Sequence, residues 1–244
     1  MTHSHKPARD YLALALDNYS QIGDIRRLIR LTRSHIGVFK IGLEQFTRFG
    51  PALLDEVRGE GRKMFLDLKL HDIPNTVEKA VAAAAEHQVD FLTVHTQGGP
   101  AMLTAAAAAA AKTACPPKII GVTALTSIDA TTLCDQLLVT MPLELYVRHL
   151  ASLAVGAGLD GIVCSAADLP AVKPSLPASF EIITPGVRMA GQGTDDQKRI
   201  ASPSVALEAG ATLLVVGRPI TGADDPADAA KRFEACVEEY VGSV

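Results

Sequence analysis

Residues 64–76 read MFLDLKLHDIPNT, a buried strand that runs directly into a cluster of charged side chains. The apolar run 64–66 predicts a β-strand, and Pro74 fits the first turn of the helix that follows. Because side chains alternate along a strand, Asp67 and Lys69 are expected to point to one face at the end of this strand. Most such pairs on strand edges are solvated, so the interpretation depends on what surrounds this one.

Short apolar runs alternate with longer helical segments along the chain, which is the pattern of βα units around a parallel sheet. Eight such units predict one domain, residues 1–244, folded as a (β/α)₈ TIM barrel, with the polar residues 1–9 as a flexible tail. The predicted strands are Tyr11–Leu16, Val38–Ile41, Met64–Leu68, Phe91–His95, Ile119–Ala124, Gly161–Cys164, Glu181–Thr184 and Leu213–Val216. The predicted helices lie near residues 22–34, 43–58, 76–87, 100–113, 143–156, 168–173, 203–209 and 226–240.

Polar residues and glycines recur at the carboxyl ends of these predicted strands, where the loops of a barrel form its site. Any one of them could be a cap or a structural hydrogen-bonding group, and we interpret His95 as such a supporting residue. Their coincidence at one mouth favours a common site. The set comprises Asp17, Lys40, Asp67, Lys69, His95, Thr126, Ser127, Pro185, Arg188, Gly217 and Arg218, with Asp72 in the loop after strand 3.

Arginines and glycines follow predicted strands 7 and 8, where barrels frequently bind phosphate. Glycines at Gly186 and Gly217 allow close backbone approach to an anion, although Arg188 and Arg218 could instead bridge to surface acids. The stretch 189–196, MAGQGTDD, is interpreted as a lid that closes over the phosphate, with Gln197 hydrogen-bonding the anion. A plain surface loop would have the same composition.

Residues 156–161, GAGLDG, match the dinucleotide-binding pattern G-x-G-x-x-G. They follow a predicted helix and precede a predicted strand, which is the reverse of the order needed to present a helix N-terminus to a pyrophosphate. We interpret these glycines as a helix C-cap and a turn.

The composition excludes several functional classes. A net charge of -4 argues against nucleic-acid binding, which requires a basic patch to neutralise phosphates. The N-terminal residues lack the apolar segment of a signal peptide, and no apolar run reaches the length of a membrane span. Four widely spaced cysteines form neither a C-x-x-C pair nor a metal-ligand grouping, so we expect reduced thiols in a cytoplasmic protein without a metal site.

The charged stretch resembles the signature of bacterial orotidine 5'-phosphate decarboxylases, and the resemblance extends over nearly the full chain. That family is a dimeric barrel that converts orotidine 5'-phosphate to uridine 5'-phosphate and carbon dioxide, the last step of de novo pyrimidine synthesis, without a cofactor. The resemblance is carried by residues 67–76 (DLKLHDIPNT), Asp17, Lys40, Thr126, residues 185–188 (PGVR), Gln197, Gly217 and Arg218.

The resemblance also implies roles for individual residues. Lys69 is implied as the proton donor to C6 of the pyrimidine, Asp67 as the neighbour of the departing carboxylate, and Lys40 as the residue that orients Asp67 and the ribose. An ammonium aimed at C6 would stabilise the negative charge left by carbon dioxide and then protonate the carbon. The remaining implied contacts are Asp17 to a ribose hydroxyl, Thr126 and Ser127 to the pyrimidine, and Pro185, Arg188, Gln197, Gly217 and Arg218 around the phosphate. Asp72, Ile73 and Thr76 are implied to reach the site of a partner subunit, and Asp72 is implied as a catalytic residue that, with Asp67, keeps Lys69 charged and positioned.

Two other functions remain open at this point. A related barrel decarboxylase acts on a keto-sugar phosphate with magnesium, but it carries a metal-binding carboxylate on strand 2, where this chain has Lys40. A non-catalytic barrel that binds a nucleotide would keep the phosphate residues, but nothing would then require Asp67, Lys69 and Asp72 to occur together.

Overall fold

The computed structural model describes residues 6–189 and 200–243, in which eight parallel strands close into a barrel in chain order. The predicted (β/α)₈ barrel is confirmed. The strands are β1 Leu12–Ala15, β2 Val38–Gly42, β3 Lys63–Leu70, β4 Phe91–His95, β5 Lys118–Val122, β6 Gly161–Val163, β7 Glu181–Thr184 and β8 Leu213–Val216. The helices are α1 Ile22–Thr32, α2 Leu43–Phe49, α3 Pro51–Gly59, α4 Pro74–Glu86, α5 Gly99–Ala111, α6 Leu143–Gly156, α7 Leu169–Val172, α8 Pro203–Glu208, α9 Arg218–Thr221 and α10 Pro226–Ser243.

The prediction of one helix over residues 43–58 is wrong, because two helices occupy this segment. Gly50 ends α2 in a left-handed conformation with φ +61°, which a residue with a side chain adopts only at a cost, and Pro51 then begins α3. The short helix α9, directly after β8, was not predicted.

The glycine-rich stretch between α6 and β6 has the predicted role of a helix end and turn. Helix α6 ends at Gly156, Gly158 has φ +74°, and β6 begins at Gly161. The order is therefore helix to strand, and the dinucleotide-binding interpretation fails on geometry.

Alternate strand residues point into the barrel and form its floor. A buried apolar cluster fills this level, and the next inward position on several strands is polar: Lys40 follows Val38, and Asp67 follows Phe65. The floor therefore separates the polar mouth from the base of the barrel. Its members are Ala13, Val38, Phe65, Phe91, Ile120, Ile183 and Leu213.

The outward strand residues pack beneath the helices. Phe39 and Leu66 belong to one large buried cluster with Leu53 of α3, Val81 of α4 and Phe233 of α10. Burying each such side chain contributes about 1.5–3 kcal/mol, so this layer holds the helices against the barrel. None of the helices in residues 6–189 and 200–243 combines the length and apolar character needed to cross a membrane.

The chain enters the barrel at its base. Residues 1–5 of the expected tail lie outside the described residues, whereas Lys6 is packed: its Nζ donates to the carbonyl oxygen of Thr212 at 2.7 Å and lies 4.0 Å from the Tyr11 ring centroid. A 3₁₀ turn, Ala8–Tyr11, then leads into β1. The N-terminal segment thus covers the base of the barrel.

Candidate active site

The carboxyl ends of the strands surround a cavity of about 460 Å³, a volume suited to a small ligand. Side chains from β1, β2, β3, β7 and β8, or from the loops after them, converge on it. Of the residues predicted from the sequence, those that line the cavity are Asp17, Lys40, Asp67, Lys69, Thr126, Pro185, Arg188, Gly217 and Arg218.

Two lysines and two aspartates form a continuous charged network on one side of this cavity. Lys69 Nζ donates to Asp67 Oδ2 at 2.8 Å, and Lys40 Nζ lies 3.6 Å from the same oxygen and 3.4 Å from Asp17 Oδ2. Close approach depends on Gly42, because a Cβ there would lie 3.0 Å from Asp17 Oδ1 and 3.1 Å from Lys40 Nζ. The network places two ammonium groups near the same oxygen of the Asp67 carboxylate.

Asp67 is charged despite its burial. Its exposed fraction is 8%, and this burial disfavours ionisation, but the ammonium groups of Lys40 and Lys69 and hydrogen bonds from Lys69 and Thr93 outweigh it. The pKa of Asp67 is therefore held below its ordinary value. The cavity thus contains a fixed negative charge beside an ammonium that is itself partly exposed to the ligand space.

Strand β3 departs from regular geometry where it carries this pair. Its register against β4 shifts between Leu66 and Leu70, and Lys69 has φ +50°, in the left-handed region. A non-glycine residue in this region costs on the order of 1 kcal/mol. The side-chain alternation predicted from the sequence brings Asp67 and Lys69 together, but on a distorted strand end.

The opposite side of the mouth, after β7 and β8, is basic and rich in glycine. In a closed eight-stranded barrel β7 lies across from β3, so Arg188 faces the charged network from the far wall. Arg188 is only 6% exposed, and its Nη1 donates to the carbonyl oxygen of Val187 at 3.3 Å. Arg188 is therefore a cavity residue and not a surface arginine, and with Arg218 it provides positive charge for an anion.

A model of the "Orotidine 5'-phosphate decarboxylase / HUMPS family" matches residues 10–233 of the chain. The chain belongs to this family. It is 43% identical over 236 residues to orotidine 5'-phosphate decarboxylase of Moorella thermoacetica, covering 95% of this chain and 93% of that protein. It is also 43% identical over 242 residues to the protein of the same name from Syntrophotalea carbinolica, covering 97% of each. The crystal structure of orotidine 5'-phosphate decarboxylase from Lactobacillus acidophilus is similar with a TM-score of 0.81 at 33% identity, covering 94% of this chain and 98% of that chain.

Several residues implied by the resemblance to this family do not line the cavity of their own chain. Asp72, Ile73 and Thr76 are exposed around the start of α4, with Ile73 65% exposed. Ser127 is also exposed and lies outside the cavity lining. Gln197 and the expected lid residues 190–196 lie outside the described residues.

The sequence interpretation missed other residues that line the cavity or contact its charged pair. Asn18 and Ser165 line the cavity, and buried Thr93 contacts both members of the Asp67–Lys69 pair. A signal was present: Thr93 and Ser165 are the inward positions that follow Phe91 and Val163 at intervals of two along their strands. Counting inward positions on every strand would have found them.

His95 lies at the end of β4, beside His71 and outside the cavity lining. Its ring lies 5.4 Å from that of His71, and among the described residues its buried Nδ1 has no hydrogen-bond partner. Burial, together with the nearby His71 and Lys69, lowers the pKa of His95 below its ordinary value. A neutral histidine outside the cavity lining fits the supporting role expected from the sequence.

Proposed function

We propose that the protein decarboxylates orotidine 5'-phosphate to uridine 5'-phosphate and carbon dioxide, the last step of de novo pyrimidine synthesis. The observation that carries the proposal is the 2.8 Å contact of Lys69 with Asp67 inside the cavity of a chain that is 43% identical to two orotidine 5'-phosphate decarboxylases. The fixed acid and ammonium supply what this reaction needs, a negative charge facing the leaving carboxylate and a proton for the carbon it leaves.

The proposed chemistry breaks the bond between C6 and the carboxylate carbon, and the electron pair stays on C6. The ammonium of Lys69 stabilises this charge as it develops and then transfers a proton from Nζ to C6. The amine regains its proton from solvent after the product leaves. No external electron acceptor is needed, because the reaction replaces a carboxylate by a hydrogen without net oxidation.

Asp67 and Lys40 organise the charge around C6 in this proposal. Ionised Asp67 lies against the substrate carboxylate and is relieved of a like charge as carbon dioxide leaves. Lys40 bridges Asp67 and Asp17, which supports its role in orienting both the carboxylate and the ribose. Asp17 accepts a hydrogen bond from a ribose hydroxyl, and Thr126 and Ser127 contact the pyrimidine.

The phosphate binds across the barrel from the reacting carbon. Arg188, Gly217 and Arg218 hold it, with Pro185 beside them and Gln197 contributed by the segment beyond the described residues. Binding energy from this distant group is available to organise the reacting end, so these residues act on turnover as well as on affinity. The buried position of Arg188 supports this, because desolvation strengthens its pairing with an anion.

The active unit in this proposal is a homodimer. Asp72, Ile73 and Thr76 extend from the start of α4 into the site of the partner, which accounts for the high exposure of the large apolar side chain of Ile73. Mixing Asp72→Ala and Lys69→Ala chains tests the shared site. Half of the dimers are then hybrids with one intact site each, so about a quarter of wild-type activity returns. No recovery after demonstrated subunit exchange would contradict the shared site.

We place the protein in the cytoplasm. Cys115 and Cys134 are exposed free thiols, which suit a reducing compartment. Cell fractionation with detection of the tagged protein checks this location.

Substrate identity is tested with protein pretreated with a chelator. Loss of orotidine 5'-phosphate absorbance on adding this protein supports the proposal. Activity that appears only with magnesium and a keto-sugar phosphate would indicate the metal-dependent reaction instead. The ammonium of Lys40 between Asp17 and Asp67 disfavours that reaction, because it would repel a metal ion. If the protein consumed neither substrate, the remaining interpretation would be a non-catalytic barrel that binds a nucleotide.

A further inference from the structure

The irregular end of β3 is built around a single residue of β4. Leu66 pairs with Leu92 and Leu70 pairs with Val94, so the three residues 67–69 of β3 oppose Thr93 alone. A regular parallel ladder has no place for the extra residues, so backbone N–H groups directed at β4 among them need partners outside the ladder. Whatever satisfies those groups determines the shape of the strand end.

Thr93 satisfies one of them with its side chain. Its Oγ1 accepts a hydrogen bond from the backbone N–H of Lys69 at 2.8 Å and donates to Asp67 Oδ1 at 2.9 Å. A hydroxyl has one hydrogen and can accept as well, and an ionised carboxylate only accepts, so the direction of both bonds is fixed. Thr93 is fully buried, which excludes water as a competing partner.

The result is a closed ring of hydrogen bonds. Asp67 Oδ2 accepts from Lys69 Nζ at 2.8 Å, and Asp67 Oδ1 is joined through Thr93 to the backbone of the same lysine. The backbone of Lys69 is left-handed, a conformation that needs outside support to persist. Because threonine is branched at Cβ, its χ1 angle is restricted and its hydroxyl is a stiff support.

We infer that Thr93 is a positioning residue for the reaction proposed above: its hydroxyl fixes the plane of the Asp67 carboxylate and the backbone of Lys69, and so aims the Lys69 ammonium. The inference rests on the proposed function of Asp67 and Lys69. Without the hydroxyl, the carboxylate is free to rotate toward Lys40 and the strand end to relax. The phosphate contacts on the far wall are unaffected, so the loss falls on turnover and not on affinity.

The test compares Thr93→Val with Thr212→Val in the full-length protein. Thr212, at the base of the barrel, makes the same pair of bonds: its Oγ1 donates to Glu181 Oε2 at 2.7 Å and accepts from the N–H of Ile182 at 2.9 Å. It does not line the cavity. We expect Thr93→Val to lower kcat by about 10- to 100-fold with KM within about threefold, and Thr212→Val to leave kcat within about twofold.

Two further readouts separate positioning from general destabilisation. Thr93→Ser, which keeps the hydroxyl, is expected to recover most of the lost kcat. In a plot of kcat against pH, the acid limb is expected to move to higher pH in Thr93→Val. The reason is that Asp67 loses the hydrogen bond from the Thr93 hydroxyl, which lowers its pKa. If circular dichroism shows that Thr93→Val is unfolded, Thr93→Cys, which fills a similar volume but hydrogen-bonds weakly, takes its place with the same expectation.

A folded Thr93→Val or Thr93→Cys with wild-type kcat and an unmoved acid limb would overturn the inference. An equal loss of kcat in Thr212→Val would also overturn it, since it would show a general cost of removing a threonine hydroxyl. Failure of the wild-type protein to consume orotidine 5'-phosphate would instead overturn the proposed function, so the two failures are distinguishable.

Discussion

At each end of the barrel, a carboxylate accepts hydrogen bonds from one lysine and one threonine hydroxyl. At the mouth, Asp67 accepts from Lys69 Nζ at 2.8 Å and from Thr93 Oγ1 at 2.9 Å. Thr93 Oγ1 in turn accepts a hydrogen bond from the backbone N–H of Lys69 on the neighbouring strand β3. At the mouth, Asp67, Lys69 and Thr93 are therefore joined in one ring of hydrogen bonds.

At the base, Glu181 repeats this arrangement. It accepts from Lys118 Nζ at 2.6 Å and from Thr212 Oγ1 at 2.7 Å, and Thr212 accepts the N–H of Ile182. Burial disfavours ionisation of Glu181, but the hydrogen bonds from Lys118 and Thr212 outweigh it, so the pKa of Glu181 also lies below its ordinary value. The two carboxylates are alike in their hydrogen-bond donors and in charge state, and Asp67 has Lys40 Nζ as a further neighbour at 3.6 Å.

What differs is the setting of the two units. The mouth opens into a cavity, and its lysine has a left-handed backbone at an irregular strand end. The base is covered by the N-terminal segment, where Lys6 donates to Thr212, and Lys118 extends toward solvent. The residue types alone therefore do not make an active site: a ligand space and a strained, supported backbone distinguish the mouth from the base.

Replacing the lysine at each end is expected to give the largest difference. Lys69→Ala lowers kcat by at least about 10³-fold, because it removes both the charge and the proton directed at C6. Lys118→Ala leaves kcat within about twofold and costs less than about 1 kcal/mol of unfolding free energy, because the Lys118 side chain is 49% exposed. Steady-state kinetics and denaturant unfolding measure the two effects, with uridine 5'-phosphate binding as the control for folding. Wild-type turnover by Lys69→Ala would remove the distinction between the two ends.

Adding a methyl group to one glycine at each end is expected to lower stability at the base and activity at the mouth. A Cβ at Gly161, near the base, would collide with the backbone oxygen of Glu181 and approach its Cβ to 2.7 Å, so Gly161→Ala is expected to destabilise the protein by about 2 kcal/mol or more. A Cβ at Gly42 meets only the side-chain ends of Asp17 and Lys40, which can move. Gly42→Ala therefore lowers kcat/KM by about tenfold with little loss of stability. Thermal unfolding and kinetics of both variants check this, and a fully active Gly42→Ala would contradict it.

The pH dependence of stability gives the smallest expected effect and should be similar at the two ends. Asp67 and Glu181 both have folded-state pKa values below their ordinary values of 3.8 and 4.5. Their stabilisation is therefore complete above those ordinary values and is lost as the pH falls through the folded-state values. Asp67→Asn and Glu181→Gln should each flatten the acid side of the curve of unfolding free energy against pH. Only Asp67→Asn should also abolish activity at neutral pH.

The mouth was more predictable from the sequence than the base. Alternation along β3 predicted that Asp67 and Lys69 share a face, and Asp17 and Lys40 were found as polar residues at predicted strand ends, where the loops of a barrel form its site. The base network joins residues at or next to the starts of β5, β7 and β8 with Lys6, a residue of the expected tail. Such contacts depend on barrel closure, which no local pattern reports.

The supporting features of the site were hidden for a similar reason. The irregularity in β3 arises from how it pairs with β4, and a register shift between strands leaves no mark in either sequence segment. From the sequence alone, Thr93 therefore cannot be distinguished from an ordinary strand residue; the pairing of β3 with β4 shows its role. The break between α2 and α3 was missed for the opposite reason: the Gly50–Pro51 signal was present, but the apolar pattern on both sides was continued through it.

A crystal structure of the protein with uridine 5'-phosphate would show directly where C6 of the pyrimidine lies relative to Lys69. We expect C6 of the pyrimidine within roughly 3–3.5 Å of Lys69 Nζ and the phosphate against Arg188 and Arg218. A nucleotide bound outside the mouth of the barrel, or one held there with C6 turned away from Lys69, would contradict it.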